Sequence, residues 1–160
     1  MEVQPIEGQT GTVNQFLTFL LGAEEYGIDI LMVQEIRGYS AVTPIPNAPP
    51  HVRGIMNLRG TVVPVVDLRA KFGMPPVEYG KFTVIIVVMV GAKIAGLVVD
   101  AVSDVLNISQ ADVRPAPDLG ARCDTRFISG VVSIADKLAV LLDIQRLLTE
   151  EEMAGTSGGN

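Results

Sequence analysis

Apolar residues near the start of the chain alternate with polar residues and glycine at the spacing of β-strands. Residues 15–21 form one mainly apolar run and residues 22–25 form a turn, after which apolar side chains occupy every second position from 26 to 30. A period of two places apolar side chains on one face of a strand. Residues 15–30 therefore predict a β-hairpin.

A second hairpin is predicted over residues 51–68, HVRGIMNLRGTVVPVVDL. Two apolar runs flank Arg59 and Gly60, a pair of residues suited to a tight turn. Asp67 follows the second run and is placed to cap a short helix over residues 68–72. Gly73 then ends that helix in a left-handed conformation.

The same construction occurs again at residues 127–148, FISGVVSIADKLAVLLDIQRLL. Gly54 and Gly130 lie 76 residues apart, and the same offset pairs Asp67 with Asp143. A strand, turn, strand and capped helix used twice is an internal repeat. The repeat explains both aspartates as helix caps, so neither needs a catalytic role.

The hairpin at residues 15–30 is also repeated. Gly27 and Gly96 lie 69 residues apart, and this offset pairs Glu35 with Asp104. Each half then contains two strands, an extension, a proline loop, a hairpin and a short helix, which suits a small barrel of SH3-like size. The predicted fold is all-β, with two packed five-stranded SH3-like β-barrels, each followed by a short helix.

The predicted organisation follows from these boundaries. Residues 1–14 form a disordered tail, 15–73 the first barrel, 74–81 a linker, 82–148 the second barrel with a C-terminal helix, and 149–160 a flexible tail. Residues 82–90 are almost entirely apolar, so this strand is expected to be covered on both faces or to meet a partner. Whether the first strand stays with its own barrel or crosses to the other is left open.

Composition favours sheet over helix. Apolar residues make up 48% of the chain, aromatic residues only 5%, and tryptophan is absent, so the core must use valine, isoleucine and leucine. The longest uncharged apolar run, residues 82–92, is too short to insert into a membrane as a spanning helix. A lone Cys123 and the lack of a leader indicate a cytoplasmic protein.

Charge and motifs exclude several function classes. The net charge is −6, and the sequence has no basic stripe that could contact phosphates, which argues against nucleic-acid binding. The single histidine, His51, lies in a proline-rich loop without ligand spacing, and no glycine-rich phosphate loop occurs. We therefore expect no enzyme, metal or cofactor. A small barrel that carries an apolar ligand is the alternative, although two small barrels leave no wide lumen.

Two charged residues lie where charge is uncommon. Glu35 and Arg59 occur among apolar residues, one in the predicted strand VQEIRG and the other at the turn NLRG. An exposed ion pair adds little to stability. If these residues pair, their use is to select a partner and set its register.

Four segments carry a resemblance to a known family. EEYGIDILMVQEIRG, GIMNLRGTVVPVVDLRAKFG, GLVVDAVSDVLNIS and VRPAP occur in this order, and the match runs over residues 15–153. In these segments the chain closely resembles the CheW family of bacterial chemotaxis coupling proteins. The family's fold is two packed five-stranded SH3-like barrels, as the repeat predicts.

The resemblance implies a non-catalytic adaptor. Members bind the cytoplasmic tip of chemoreceptors, the methyl-accepting chemotaxis proteins, and the regulatory domain of the histidine kinase CheA, within membrane-attached arrays. An apolar groove between the barrels, lined by surplus valine and isoleucine, would receive the helical receptor tip. The kinase would instead contact a barrel end, pseudo-symmetrically. Carried onto this chain, the family's partner contacts are Val33, Glu35, Gly38, Gly54, Asn57, Arg59, Val84 and Val102.

Overall fold

The computed structural model describes residues 13–40, 42–115 and 125–148. Most of the predicted tails, 1–14 and 149–160, and Cys123 lie outside these residues. The strands are β1 (Val13–Leu21), β2 (Glu24–Asp29), β3 (Val33–Gly38), β4 (Val52–Leu58), β5 (Thr61–Asp67), β6 (Val84–Val90), β7 (Lys93–Val99), β8 (Ala101–Ser109), β9 (Ile128–Ile134) and β10 (Lys137–Leu142), and the α-helices are α1 (Leu68–Lys71) and α2 (Ile144–Leu147). Short 3₁₀ turns occur at Ile30–Met32, Gln110–Asp112 and Thr125–Phe127.

The strands form two five-stranded sheets, which confirms the predicted pair of SH3-like barrels. Barrel A has the strand order β8-β1-β2-β10-β9, and barrel B has the order β3-β6-β7-β5-β4. Neighbouring strands are antiparallel except for the pairs β2–β10 and β5–β7, which are parallel. No helix in the described part of the chain is long and apolar enough to cross a membrane.

The two barrels exchange their first hairpins. Strands β1 and β2 pair with β8, β9 and β10 of the second half, while β6 and β7 pair with β3, β4 and β5 of the first half. Each sheet therefore contains strands from both predicted units, 15–73 and 82–148, and the units do not coincide with the sheets. The physical reason is that duplicated strands offer nearly the same pairing edge, so local pattern does not decide which copy they join.

The repeat itself is confirmed at the level of register. In the two parallel pairs, Val65 lies opposite Gly96 and Leu141 lies opposite Gly27, which are the positions that the two offsets relate. The antiparallel register also shifts at corresponding places. In the β3–β6 pair the shift lies between Val33 and Glu35 of β3. In the β1–β8 pair it lies between Thr18 and Phe19 of β1, which are opposite residues 104 and 102 of β8. The two halves are thus copies in detail, including their irregularities.

The buried apolar side chains of the described residues form three clusters. Each barrel has its own interior, with Ile85 and Val87 of β6 buried inside barrel B. The largest cluster lies between the sheets and takes Ile86 and Val88 from the other face of β6. All four side chains are 0% exposed, so this strand is covered on both faces, as predicted.

The cluster between the sheets corrects one expectation. It contains side chains of both barrels and of α1 and α2. Tyr26 stacks there against Phe19 and packs at a tilt against Phe72, with ring centroids 6.0 and 5.6 Å apart. The surplus of valine and isoleucine expected to line an open groove is buried in this third core instead. The reason is that apolar faces of both sheets gain more by packing on each other than by staying exposed.

Local predictions for turns and caps are confirmed. Arg59 and Gly60 have φ values of +51° and +90°, as a type I′ hairpin turn requires. Asp67 accepts a hydrogen bond from the backbone N–H of Ala70 at 3.3 Å, and Gly73 has φ +72°. Asp143 caps α2 in the same way, through the N–H groups of Gln145 and Arg146.

Asp67 has a second partner in the linker. The hydroxyl of Tyr79 donates to its free carboxylate oxygen, and Asp67 is only 9% exposed. Burial and then this hydrogen bond raise the pKa of Tyr79 above its usual range. The contact fastens the linker to the start of α1.

Each proline-rich loop folds back onto the following strand. Thr43 and Ile55 exchange two backbone hydrogen bonds of 2.8 Å, and Arg114 and Val131 exchange two of 2.9 Å. The bridges lie beside Gly54 in β4 and beside Gly130 in β9. A Cβ atom on Gly54 would collide with the carbonyl of Thr43, and φ there is +144°. Glycine is therefore required for this close approach.

Replacing Gly54 with alanine should lower the free energy of unfolding by about 2–5 kcal/mol, because it adds backbone strain and a steric collision. Urea denaturation measures the change. Gly38→Ala is the matched control, since a Cβ there meets nothing within 4 Å, and it should change stability by less than about 0.5 kcal/mol. Equal stabilities for the two variants would contradict the assigned close approach.

Tyr79→Phe removes the hydroxyl that satisfies Asp67, and should lower the free energy of unfolding by about 1–3 kcal/mol. The raised pKa also predicts a pH dependence. An unfolded tyrosine loses its proton near about pH 10, whereas folded Tyr79 retains it, so this part of the stability is present below about pH 10 and lost as the pH rises further. Urea midpoints between pH 8 and 11 should converge for wild type and variant; parallel curves would refute the assignment.

Candidate functional site

An ion pair closes barrel B at its surface. Glu35 lies in β3 and Arg59 in the turn between β4 and β5, and β3 and β4 occupy opposite ends of the strand order. Arg59 Nη2 donates to Glu35 Oε1 at 2.8 Å. Arg37 Nη1 donates to the other oxygen, Oε2, at 3.2 Å. A single carboxylate thus links the two ends of the sheet.

Backbone geometry sets the directions of the Glu35 and Arg59 side chains. The register of β3 against β6 shifts beside Gln34, and a bulge of this kind redirects the following side chain, Glu35. Arg59 occupies a left-handed position of the tight turn, and the Asn57 side chain accepts the N–H of Gly60 at 2.8 Å. The positions of Glu35 and Arg59 are therefore held by their strands and turn.

The pair is charged and partly exposed. The Glu35 side chain is 28% exposed and that of Arg59 is 70% exposed. The hydrogen bond from Arg59, assisted by Arg37, outweighs partial desolvation and lowers the pKa of Glu35 below its usual range. Glu35 is consequently a carboxylate near neutral pH, and the site presents fixed charges of both signs.

The ion pair occurs in only one copy of the repeat within the described residues. The positions that correspond to Glu35 and Arg59 are Asp104 in β8 and Ala135 in the turn between β9 and β10. Ala135 has the same left-handed backbone conformation as Arg59, with φ +47°, but its side chain is uncharged. The backbones are copies, whereas the surface chemistry is not.

The remaining predicted contacts are spread over the molecule. Gly38 pairs with Val84 at the far end of β3. Val33 and Val102 occupy corresponding positions of β3 and β8, and with Val84 they pack against the core between the sheets. Gly54 is buried beneath the proline loop. The structure thus brings Glu35, Arg59 and Asn57 together, and leaves Val102 on the other barrel.

Arg37 was missed by the sequence prediction, although it contacts Glu35. The available signal was its spacing, because residues two apart in a strand lie on the same face. Two exposed aliphatic side chains occur on the same strands: Ile36 is 44% exposed, and Val62, which lies opposite Asn57, is 48% exposed. Ile36 lies on the opposite face of β3 from Glu35, so of the two only Val62 shares a face with a residue of the predicted site, Asn57.

The described part of the chain does not favour the alternative function of an apolar carrier. Side chains fill the interiors of both barrels. Among the described residues, open clefts of about 190 and 230 Å³ lie outside those interiors on barrel A. No cluster of three or more potential metal ligands occurs in residues 13–40, 42–115 and 125–148.

Comparison with known proteins identifies the family. The family model CheW-like domain matches residues 15–152. The chain is 47% identical to chemotaxis protein CheW of Klebsiella aerogenes over 152 residues, which cover 95% of this chain and 91% of that protein. It is 39% identical to chemotaxis protein CheW of Rhizobium meliloti over 138 residues, covering 86% and 89% of the two chains.

A solved structure agrees with the sequence comparison. The crystal structure of scaffolding protein TtCheW from Thermoanaerobacter tengcongensis superposes with a TM-score of 0.80 at 32% identity, covering 91% of this chain and 94% of that one. The agreement includes the two-barrel fold in which the Glu35–Arg59 pair is embedded. The chain therefore belongs to the CheW-like domain family, whose members are non-catalytic scaffolds of bacterial chemotaxis.

Proposed function

We propose that this protein couples the cytoplasmic tips of chemoreceptors to the histidine kinase CheA, so that receptors control the kinase within membrane-attached arrays. The observation that carries the proposal is the Glu35–Arg59 ion pair, which one copy of the repeat has and the other lacks. A partner that binds these charges can distinguish two barrels that have the same backbone arrangement.

The ion pair is better suited to recognition than to stability. Exposed ion pairs contribute little to folding, because water and salt screen them. Here a bulge, a left-handed turn residue and a second arginine nevertheless hold the carboxylate in one place. Charges held in a defined geometry give specificity and register to a protein interface.

The surroundings of the pair also suit a protein partner. Val62 is aliphatic and about half exposed, and it lies opposite Asn57 beside the turn that holds Arg59. Interfaces combine an apolar contact area with polar groups that fix orientation. A helical receptor tip, or a barrel of the kinase regulatory domain, can meet both kinds of group here.

The other residues of the proposed contact set have more indirect roles. Val33, Val84 and Val102 pack against the core between the barrels, so they set the spacing of the two surfaces. Gly54 keeps the proline loop close to β4, and Gly38 keeps the end of β3 unobstructed. The proposed set is Val33, Glu35, Gly38, Gly54, Asn57, Arg59, Val84 and Val102.

Charge reversal at the pair should weaken partner binding without unfolding the protein. We expect Glu35→Arg or Arg59→Glu to raise the Kd for a receptor signalling fragment or for CheA about tenfold or more. The melting temperature should stay within about 3 °C of wild type, because the pair is exposed. Sedimentation with each partner and thermal unfolding by circular dichroism measure the two effects.

Two matched variants sharpen this test. Asp104→Arg changes the corresponding position in the other copy and should leave the affinity unchanged. The double variant Glu35→Arg with Arg59→Glu restores an ion pair with reversed polarity, so it should unfold like wild type and still bind weakly. Loss of the folded signal in the single variants would instead assign these residues a structural role.

Kinase control is tested by reconstitution. Mixing the purified chain with a receptor signalling fragment and CheA should change CheA autophosphorylation, and the charge-reversed variants should reduce that change. The same mixture without the chain gives the baseline. Unchanged autophosphorylation together with no co-sedimentation would overturn the proposed coupling.

A further inference from the structure

The two helix-capping aspartates differ in one respect that the repeat does not explain. Asp67 and Asp143 each use one carboxylate oxygen to cap a short helix. The second oxygen of Asp67 accepts the Tyr79 hydroxyl, and this residue is 9% exposed. The second oxygen of Asp143 lies 3.6 Å from the exposed Arg146 guanidinium, and the Asp143 side chain is 32% exposed.

In the first copy, the Tyr79 side chain fills a binding position formed by Asp67, Tyr39 and Arg53, the tyrosine seat. Its ring packs against the interior cluster of barrel B and lies 4.3 Å from the Tyr39 ring, centroid to centroid. The Arg53 guanidinium lies over the ring at 5.7 Å from its centroid. Because the hydroxyl meets a nearly buried carboxylate, the seat binds both parts of a phenol: the apolar ring and its polar tip.

The second copy has an open cleft at the corresponding place. A cleft of about 190 Å³ adjoins Asp143 and is lined on its apolar side by Phe16, Met32 and Ile144. Ser129 also lines it, at the position that corresponds to Arg53 in the repeat. An engineered protein cavity of about 150 Å³ accepts benzene, so the volume here suits a phenol ring.

None of the three tyrosines of this sequence lies at the cleft. Tyr26 packs in the core between the sheets, and Tyr39 and Tyr79 pack against each other on barrel B. None of them lines the cleft beside Asp143, so the proposed occupant is a tyrosine of another molecule.

We propose that the cleft beside Asp143 is a docking site for a tyrosine side chain of a partner protein. The tyrosine hydroxyl donates to the second oxygen of Asp143, as Tyr79 does to Asp67, and the ring packs on Phe16 and Met32. Both charged residues that line the cleft, Asp29 and Asp143, are acidic. The Arg146 guanidinium also faces the second oxygen of Asp143, at 3.6 Å, and the tyrosine hydroxyl shares that oxygen with it.

This site goes beyond the coupling function and does not depend on it. It lies on barrel A, between β1, β9 and α2, whereas Glu35 and Arg59 lie on barrel B. A failed test of the cleft would leave the Glu35–Arg59 proposal standing. Conversely, a failed test of the Glu35–Arg59 proposal would leave the cleft residues and their proposed tyrosine contact unaffected.

The test is a titration of the full-length, ¹⁵N-labelled chain with N-acetyl-tyrosinamide, followed by amide chemical shifts. Shifts should concentrate at Ser129, Asp143 and Gln145. N-acetyl-phenylalaninamide should bind at least about fivefold more weakly, because it lacks the hydroxyl donor.

Asp143→Asn is the first variant, because asparagine remains a good helix cap but replaces the second acceptor oxygen with an amide NH₂ group, which can only donate. It should weaken the tyrosine probe at least about fivefold. Asp112→Asn is the matched control, since Asp112 lines the other cleft, and it should bind the probe like wild type. Ser129→Leu, which fills the cleft from an exposed position without altering the cap, should abolish the shifts.

Three outcomes would overturn the proposal. Equal affinity for the phenylalanine and tyrosine probes would make the cleft a merely apolar depression. No shift at the cleft amides would remove the site altogether. Shifts of the same amides on diluting the protein alone would make a second copy of this chain the occupant instead of a partner.

Discussion

The structure depends on the packing of two sheets against each other across a shared apolar core. Neither half of the chain supplies a complete sheet, because each contributes its first hairpin to the other barrel. The halves join at four strand pairs, the parallel pairs β2–β10 and β5–β7 and the antiparallel pairs β1–β8 and β3–β6. Side chains of the parallel pairs alternate between a barrel interior and the core between the barrels. Folding of one barrel is consequently tied to folding of the other.

This coupling explains how a chain with few aromatic residues keeps a stable scaffold. Short strands of valine and isoleucine bury little surface in a single small barrel, and a domain of that size alone would be marginal. Strand β6 is covered on both faces, so it contributes to two cores at once. Stability then comes from the buried cores, so surface side chains such as those of Glu35 and Arg59 are not needed for folding.

The two surfaces that we propose for recognition differ although they lie on two copies of one backbone. Glu35 and Arg59 correspond to Asp104 and Ala135, and the filled seat of Tyr79 at Asp67 corresponds to an open cleft at Asp143. In each case the fold supplies the same capped helix, bulge or turn, and only the side chains differ. Duplication thus gives this adaptor two related surfaces with separate chemistry, one on each barrel.

The sequence by itself determined the local structure: the tight turn at Arg59, the caps at Asp67 and Asp143, the ten short strands and their repetition. These features depend on neighbours in the chain, where period, glycine and capping residues act directly. It also singled out Glu35 and Arg59, because charge at such strand positions is uncommon. Only the tertiary structure decided that the hairpins exchange, that the surplus of aliphatic residues forms a third core, and that Arg37 joins the ion pair. Those outcomes depend on choices between almost equivalent strand edges far apart in sequence, which local patterns do not distinguish.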